Sequence, residues 1–407
     1  MTRVARWRVG VCLVAGALAA LLGSTQSEAH KLISSKYTYN EDVFPILRDR
    51  CGRCHVSEGV APMSLMTYKD AYPWSESLRA ELVTGHMPPW HVLDDIGAFK
   101  NAPTITAPEI DKILTWASGG YPEGNPLNPP PDVTVPRKWS LGEPDLVLEP
   151  SSSYTMAADQ SEATTEFSLA TGTTGPKWVR AVDLLPGTPA IVRNATVIVK
   201  AISSDRASAD TTAARVLSVW VPGDDPIVTN RGAAFQLPAG AELVVRIHYR
   251  KTYKFEGKEM TDRSLVGLYF TQGPVDDIRS LTVTSPPVVA ASQPLMFSKT
   301  LSEDLNVLAF SPVPTLSNAR LEMTVIKPDG TRTPLVHLAV RPDWTRRYWF
   351  ADPLALSRGS QIQVVAVVNG ADSLLPPAAA PTPPQAVNGP VRVTFDVTAA
   401  RSRRTTE

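Results

Sequence analysis

The sequence predicts a multidomain chain, with a small all-α domain followed by two tandem antiparallel β-sandwiches of jelly-roll-like form. Three observations lead there. Helix start and stop signals crowd residues 38–121. Eight prolines then fall between 121 and 150, three of them consecutive at 129–131. Beyond them the apolar pattern shortens to β-rich runs separated by turn residues. The expected boundaries are a signal peptide at 1–29, the helical domain at 38–121, a linker at 122–150, and β-sandwiches at 151–275 and 276–400. With 407 residues there is room for two or three domains. Charged residues make up 20% and hydrophobic residues 43%, which permits a packed core and argues against disorder.

The N-terminus has the pattern of an export signal. Arg3, Arg6 and Arg8 form a basic region, residues 9–23 are apolar, and Ser27-Glu28-Ala29 offers a small-x-small cleavage site before His30. The apolar run of 15 residues is shorter than the ~20 that a membrane span needs. An uncleaved anchor is the alternative; with cleavage, no membrane span is expected. The mature chain then carries 37 basic and 39 acidic side chains. That balance asks for neither nucleic acid nor an acidic membrane surface. Cys12 leaves with the signal, so Cys51 and Cys54 are the only cysteines of the mature chain. The expected location is the periplasm or the exterior.

Within the helical part, Asn40 is the expected cap of a first helix whose apolar face is Val43, Phe44 and Leu47. Thr67 and Asp70 open a second, which Pro73 bends or interrupts. Thr106 and Glu109 form a capping box for a third, with Pro108 in its first turn. Ile110, Ile113, Leu114 and Ala117 repeat at helical spacing, and Gly119-Gly120 ends it. The proline content of 122–150 makes a semi-rigid linker. The β-rich runs are 178–185, 190–200, 215–221, 242–250 and 264–270, then 305–310, 320–327, 334–340, 361–368 and 391–397. "KPDGTR" (327–332) reads as a hairpin turn, and the Pro/Ala-rich stretch 376–390 as a loop.

The chemistry is concentrated in "CGRCHVSEGVAPM" (51–63). C-x-x-C-H behind an export signal is the pattern of covalent c-type haem attachment. The thiols of Cys51 and Cys54 add to the haem vinyl groups, and His55 follows at once to bind the iron from one face. A zinc site would need about four ligands, and no second cysteine pair exists. A thioredoxin-like C-x-x-C belongs in a βαβ unit, whereas this one follows a helix. For the sixth iron ligand the nearby donors are Met63, Met66, His86, Met87 and His91. Met63 and Met66 follow His55 by 8 and 11 residues, a reach that keeps them on the proximal side, where the Pro62 carbonyl can accept from the His55 ring. Met87 lies 32 residues on, enough for the chain to wrap the haem edge, with Pro88-Pro89 stiffening the loop. Met87 is therefore the expected distal ligand, with core packing as its ordinary reading and Met63, His86, His91 or an open site as the alternatives.

Several stretches together carry a resemblance: "YNEDVFPILRDRCGRCH", "APMSLMTYKDAYPW", "HMPPWH", "GGYPEGNP", "WSLGEPDLVLE", "LPAGAELVVRIHYR", "TDRSLVGLYF" and "KPDGT". The chain resembles a bacterial cytochrome c module fused in front of copper type II, ascorbate-dependent monooxygenase-like domains, relatives of peptidylglycine and dopamine hydroxylases. The resemblance covers most of the mature chain, most closely to about residue 150. It implies two β-sandwiches of eight to nine strands side by side. It also implies two coppers, one held by an adjacent His pair plus a His in an H-Y stretch, the other by His-x-His plus a late Met.

Matched residue by residue, the adjacent pair falls on Arg193 and Asn194, and the H-Y histidine on His248. The His-x-His positions hold Val313 and Thr315, and no methionine follows Met323. Arg has no lone pair to give a metal, and His337 lies away from the family pattern. Copper is therefore not expected. No G-x-S-x-G, H-E-x-x-H or phosphate-loop motif suggests other catalysis. "RPDWTRRYWF" (341–350) is either a docking patch or an amphipathic strand with snorkelling arginines. The expectation is a single covalent haem, electron transfer to a redox partner protein, and a copper-less β scaffold for docking or assembly. A copper monooxygenase with a fused electron donor and a small-molecule-binding module are the alternatives.

Overall fold

The computed structural model describes residues 34–90, 92–93, 96–100, 102, 105–200, 215–229, 232–286, 294–312, 319–340, 346–368 and 390–400. The export signal, His91, Val313, Thr315 and the 376–389 stretch lie outside them. A π-turn (Tyr39–Val43) leads into α1 (Phe44–Arg50); then come α2 (Tyr68–Ala71), α3 (Ser75–Val83) and α4 (Ala107–Ser118). Asn40 is not the first cap. Its side-chain amide donates to the Asn125 carbonyl at 3.0 Å instead. The Thr67 hydroxyl does accept from Asp70 N–H at 3.1 Å, and a 3-10 turn at Tyr72–Trp74 holds Pro73 between α2 and α3. The capping box on α4 is complete, with Thr106 N–H donating to Glu109 Oε2 at 2.7 Å. Tyr39, Val43, Leu47, Leu65, Ile113 and Trp116 form the core of this region, and Val133 and Val135 pack against it from the proline-rich segment.

The strands are β1 (Val92–Leu93), β2 (Leu146–Leu148), β3 (Tyr154–Met156), β4 (Glu162–Ala170), β5 (Lys177–Leu185), β6 (Val192–Val199), β7 (Arg215–Trp220), β8 (Ala233–Leu237), β9 (Glu242–Arg250) and β10 (Met260–Asp262). They continue as β11 (Leu265–Thr271), β12 (Asp276–Asp277), β13 (Arg279–Thr284), β14 (Leu295–Thr300), β15 (Leu305–Pro312), β16 (Ala319–Ile326), β17 (Arg332–Val340), β18 (Tyr348–Leu356), β19 (Gln361–Val368) and β20 (Arg392–Ala399). Among the described residues they form four sheets of four or five strands, ordered β12-β8-β5-β11-β2, β4-β9-β6-β7, β1-β17-β16-β19-β14 and β13-β20-β15-β18, plus the ribbon β10-β3. The 327–332 hairpin joins β16 to β17, closed by Lys327 N–H on the Thr331 carbonyl at 2.9 Å.

The expected fold class is corrected. Strand accounts for 42% and helix for 14%, and no small all-α domain stands apart. The reason is in Trp90, Val92, Leu93 and residues 96–100, which lie against the β body. Within it β1 pairs with β17, Val92 opposite Leu338 and Leu93 opposite His337. Lys100 N–H donates to the Trp349 carbonyl and Ala351 N–H to the Ala98 carbonyl, both at 2.8 Å. Trp90, Val92 and Phe99 pack on a core made by Phe310, Met323, Val336, Ile362, Val364 and Phe395. Nor are there two separate antiparallel tandems. β12 and β8 run parallel, and Leu308, Ala309 and Trp349 of the C-terminal strands belong to the core centred on β5, β6 and β9. Burying apolar area is worth roughly 25 cal/mol per Å², so a segment carrying Trp90, Val92 and Phe99 gains by inserting where sequence spacing alone leaves it in a helical domain.

Candidate functional site

The 51–55 turn is built by the end of α1. Cys51 caps that helix, its N–H on the Leu47 carbonyl at 2.9 Å. Its own carbonyl accepts from Cys54 N–H at 3.1 Å and His55 N–H at 2.9 Å. This single acceptor curls the chain so that both sulfurs and the imidazole leave one turn. Gly52 is required there, because a Cβ would sit 2.5 Å from the Arg48 carbonyl oxygen and 3.1 Å from Met66 Sδ. The His55 carbonyl accepts from Leu65 N–H at 3.0 Å, and the Leu65 carbonyl from the Tyr39 hydroxyl at 2.7 Å, anchoring the loop to the helical core.

His55 Nδ1 lies 3.2 Å from the Met63 carbonyl. The carbonyl that orients the ring is therefore that of Met63, one residue beyond the expected Pro62. Burial holds the imidazole below its ordinary pKa, with the Met63 bond opposing. At neutral pH the ring is uncharged, Nδ1–H donates to Met63, and Nε2 keeps its lone pair. Cys51 and Cys54 are free thiols. Loss of solvent pushes Cys51 up to about 12 and Cys54 up to about 11, so both are protonated. Two thiols and one imidazole lone pair on a single turn fit the donor set of a covalently attached haem.

Of the distal candidates, Met66 is buried in the helical core beside Gly52. Met63 is half-buried and packs on the same core. Met87 is half-buried just after α3, its N–H on the Glu81 carbonyl at 3.3 Å. His86 is engaged by Glu81, Nδ1 to Oε2 at 3.3 Å.

The outer side of the turn meets the β body. The Cys54 thiol donates to the Pro222 carbonyl at 3.6 Å. Arg53 makes a two-pronged pair with Asp225 at 2.6 and 3.0 Å and a further bond to the Gly223 carbonyl at 3.2 Å. Arg193 donates to the Val60 carbonyl at 2.8 Å, and Arg137 pairs with Glu58 at 3.1 Å. Asp224 turns inward to Arg346 at 3.2 Å, and the Arg346 guanidinium lies over the Trp90 ring at 5.5 Å. Burial first, tempered by Arg346 and raised again by Asp225, pushes the Asp224 carboxyl up to about 6. Asp224, Arg346, Trp90, Trp220, Phe235 and Trp349 line a cavity of about 50 Å³. Sequence reasoning found none of these partners. The two strips lie about 170 residues apart, and only the fold joins them. The arginines of 341–350 that the structure describes form no docking patch and do not snorkel. Arg346 is 5% exposed, and Arg347, equally buried, pairs with Asp396 at 3.0 Å.

The positions matched to copper ligands read differently. Asn194 and His248 face each other across β6 and β9. Asn194 Nδ2 donates to His248 Nδ1 at 3.2 Å, and His248 Nε2 donates to Glu162 at 2.7 Å, so both ring nitrogens are engaged. His337 sits on β17 opposite Glu322 of β16. Among the described residues no group of three or more His, Cys, Asp or Glu is gathered as for a metal. No described helix is long and apolar enough to cross a membrane.

No protein-family model matches the chain, and no curated protein does. Among solved structures it overlaps an allantoicase at 9% identity and TM-score 0.19, covering 58% of this chain and 77% of that one. It overlaps the major capsid protein P2 of Bacteriophage PM2 at 10% identity and TM-score 0.25, covering 63% and 98%. The tandem CBM22 region of Xyn10C from Paenibacillus barcinonensis overlaps at 6% identity and TM-score 0.16, covering 63% and 93%. Overlaps this slight carry no argument about fold or function.

Proposed function

We propose that this chain is an exported monohaem c-type electron carrier whose β body serves as a scaffold for the haem turn. The observation that carries the reading is the 51–55 turn, where two free thiols sit beside an imidazole whose Nδ1 is held by the Met63 carbonyl at 3.2 Å. In this reading Cys51 and Cys54 would tether the haem, and His55 and Met87 would hold its iron. A bound haem supplies reversible one-electron transfer. The residues do the rest. The Met63 carbonyl fixes the His55 tautomer and makes Nε2 a stronger donor. Val56, Leu65 and Met66, buried beside it, keep water from the turn. The location in this reading is periplasmic or secreted, and the partner is another redox protein.

The resemblance to copper monooxygenase-like domains fits the same reading, with the copper surface turned to another use. Arg193, matched to a copper imidazole, instead bonds the Val60 carbonyl of the haem loop. His248, matched to another, spends both nitrogens on Asn194 and Glu162. The test is a combined haem and metal analysis of the purified protein. One haem per chain should survive denaturation and acid extraction, and well under one copper per chain should remain after copper loading and dialysis. Haem that extracts freely would sink the proposal, and two tightly held coppers would replace it with a monooxygenase.

A further inference from the structure

The Cys54 sulfur does not face solvent on its outer side. Beyond the Pro222 carbonyl, Gly223 has φ +85, and a Cβ there would lie 3.1 Å from Cys54 Sγ. The 221–225 turn is therefore in van der Waals contact with the thiol. Two adjacent carboxylates fasten it in opposite directions. Asp225 reaches out to Arg53 of the haem turn, and Asp224 reaches in to Arg346, itself packed on Trp90. Asp224 N–H on the Val221 carbonyl at 3.3 Å closes the turn, and Val221 is fully buried.

We propose that the 221–225 turn is a latch over the Cys54 thiol, and that haem is joined to the chain while this latch is open. The inference rests on the haem reading above. Attachment adds each S–H across a vinyl group. The sulfur bonds the inner vinyl carbon and the proton ends on the outer one, so the step consumes no oxidant or reductant. Its geometric demand is a free approach of a macrocycle edge to Sγ. With Pro222 and Gly223 in place the outer approach is closed. The β body therefore docks on the turn after attachment, and afterwards shields the Cys54 corner from water and from redox partners. Electrons then pass by a different edge.

The test uses the full chain prepared without haem and kept reduced. Iodoacetamide labelling is followed at each cysteine by peptide mass, with Cys51, which packs on the helical core, as internal reference. In the wild type Cys54 should label slowly. Arg53→Ala or Asp225→Ala should speed Cys54 about fivefold, the share of an exposed two-pronged ion pair, and leave Cys51 unchanged. The exchange Arg53→Asp with Asp225→Arg should restore slow labelling. A variant that merely unfolds would speed both cysteines and fail to be restored by the exchange. Cys54 labelling at one rate in every chain overturns the latch. The same chains are then given haem and a thiol reductant, and covalent haem is measured against time. Faster attachment in Arg53→Ala supports the order of events, and equal rates overturn it. If labelling responds but no chain takes haem covalently, the latch stands and the haem reading falls.

Discussion

His55 owes its tautomer to one carbonyl. An imidazole held only by burial can present either nitrogen, whereas Met63 at 3.2 Å commits Nδ1 and leaves the Nε2 lone pair free of that bond. The carbonyl belongs to Met63, so that methionine's backbone already has a task on the His55 side of the turn. Its sulfur is poorly placed to reach round to the opposite face. Met87 follows α3, with Pro88-Pro89 stiffening the chain behind it. The expected outcome is that the oxidised haem protein shows the weak near-infrared charge-transfer band of a methionine–iron bond. Met87→Ala should abolish that band and lower the midpoint potential, since a thioether ligand favours the reduced iron. Met63→Ala should leave both in place. The opposite pattern would move the ligand to Met63 and undo the chain-wrapping argument.

At the scale of elements, α4 is the strut that holds α1 and so the 51–55 turn. Thr106 and Glu109 close its capping box, and Glu109 Oε1 also accepts from Arg50, the residue before Cys51, at 3.0 Å. Thr106→Ala should cost about 1 kcal/mol of unfolding free energy, read as a lower urea midpoint with unchanged slope. Glu109→Ala should cost more, because it loses the tie to α1 as well. Equal midpoints for wild type and Thr106→Ala would show that the cap contributes nothing. This helix was legible in the sequence because caps and 3.6-residue spacing are local. The strands with strong apolar runs were legible too: β7 and β9 lie within a residue of the expected 215–221 and 242–250. β4 was not, because its side chains alternate between exposed and half-buried up to the buried Leu169, and EATTEFSLA has no apolar run to read. β1 has two residues and exists only because β17 offers an edge, which no local pattern reports. The same holds for the site. The C-x-x-C-H turn is local and was read, while Pro222, Gly223, Asp225 and Arg193 reach it from far along the chain.

At the scale of the molecule, the helical region and the β body meet around one half-buried carboxylate. Asp224 is faced by Arg346 from the segment before β18, by Arg53 and Cys54 from the 51–55 turn, and by its neighbour Asp225. Lys100, from the segment that joins the β body, lines the same cavity. The carboxyl is raised from 3.8 to about 6, chiefly by burial. Between about pH 4 and pH 6 the folded chain keeps a proton that the unfolded chain has released. Stability from this group is therefore greatest at the acid end, falls as pH rises to about 6, and is flat above. Asp224→Asn removes the titration but also weakens the hold on Arg346, so its net effect at one pH is a difference of two costs. The pH dependence separates them. Unfolding free energy of Asp224→Asn minus that of the wild type should rise between pH 4 and 6.5 and then level off. The rise should be on the order of 2 kcal/mol, allowing for solvent screening of a partly exposed group. Urea titrations at four pH values measure it, with other carboxylates cancelling in the difference. A difference that stays level across this range would mean that Asp224 titrates as a solvated carboxylate and that the junction is open to water.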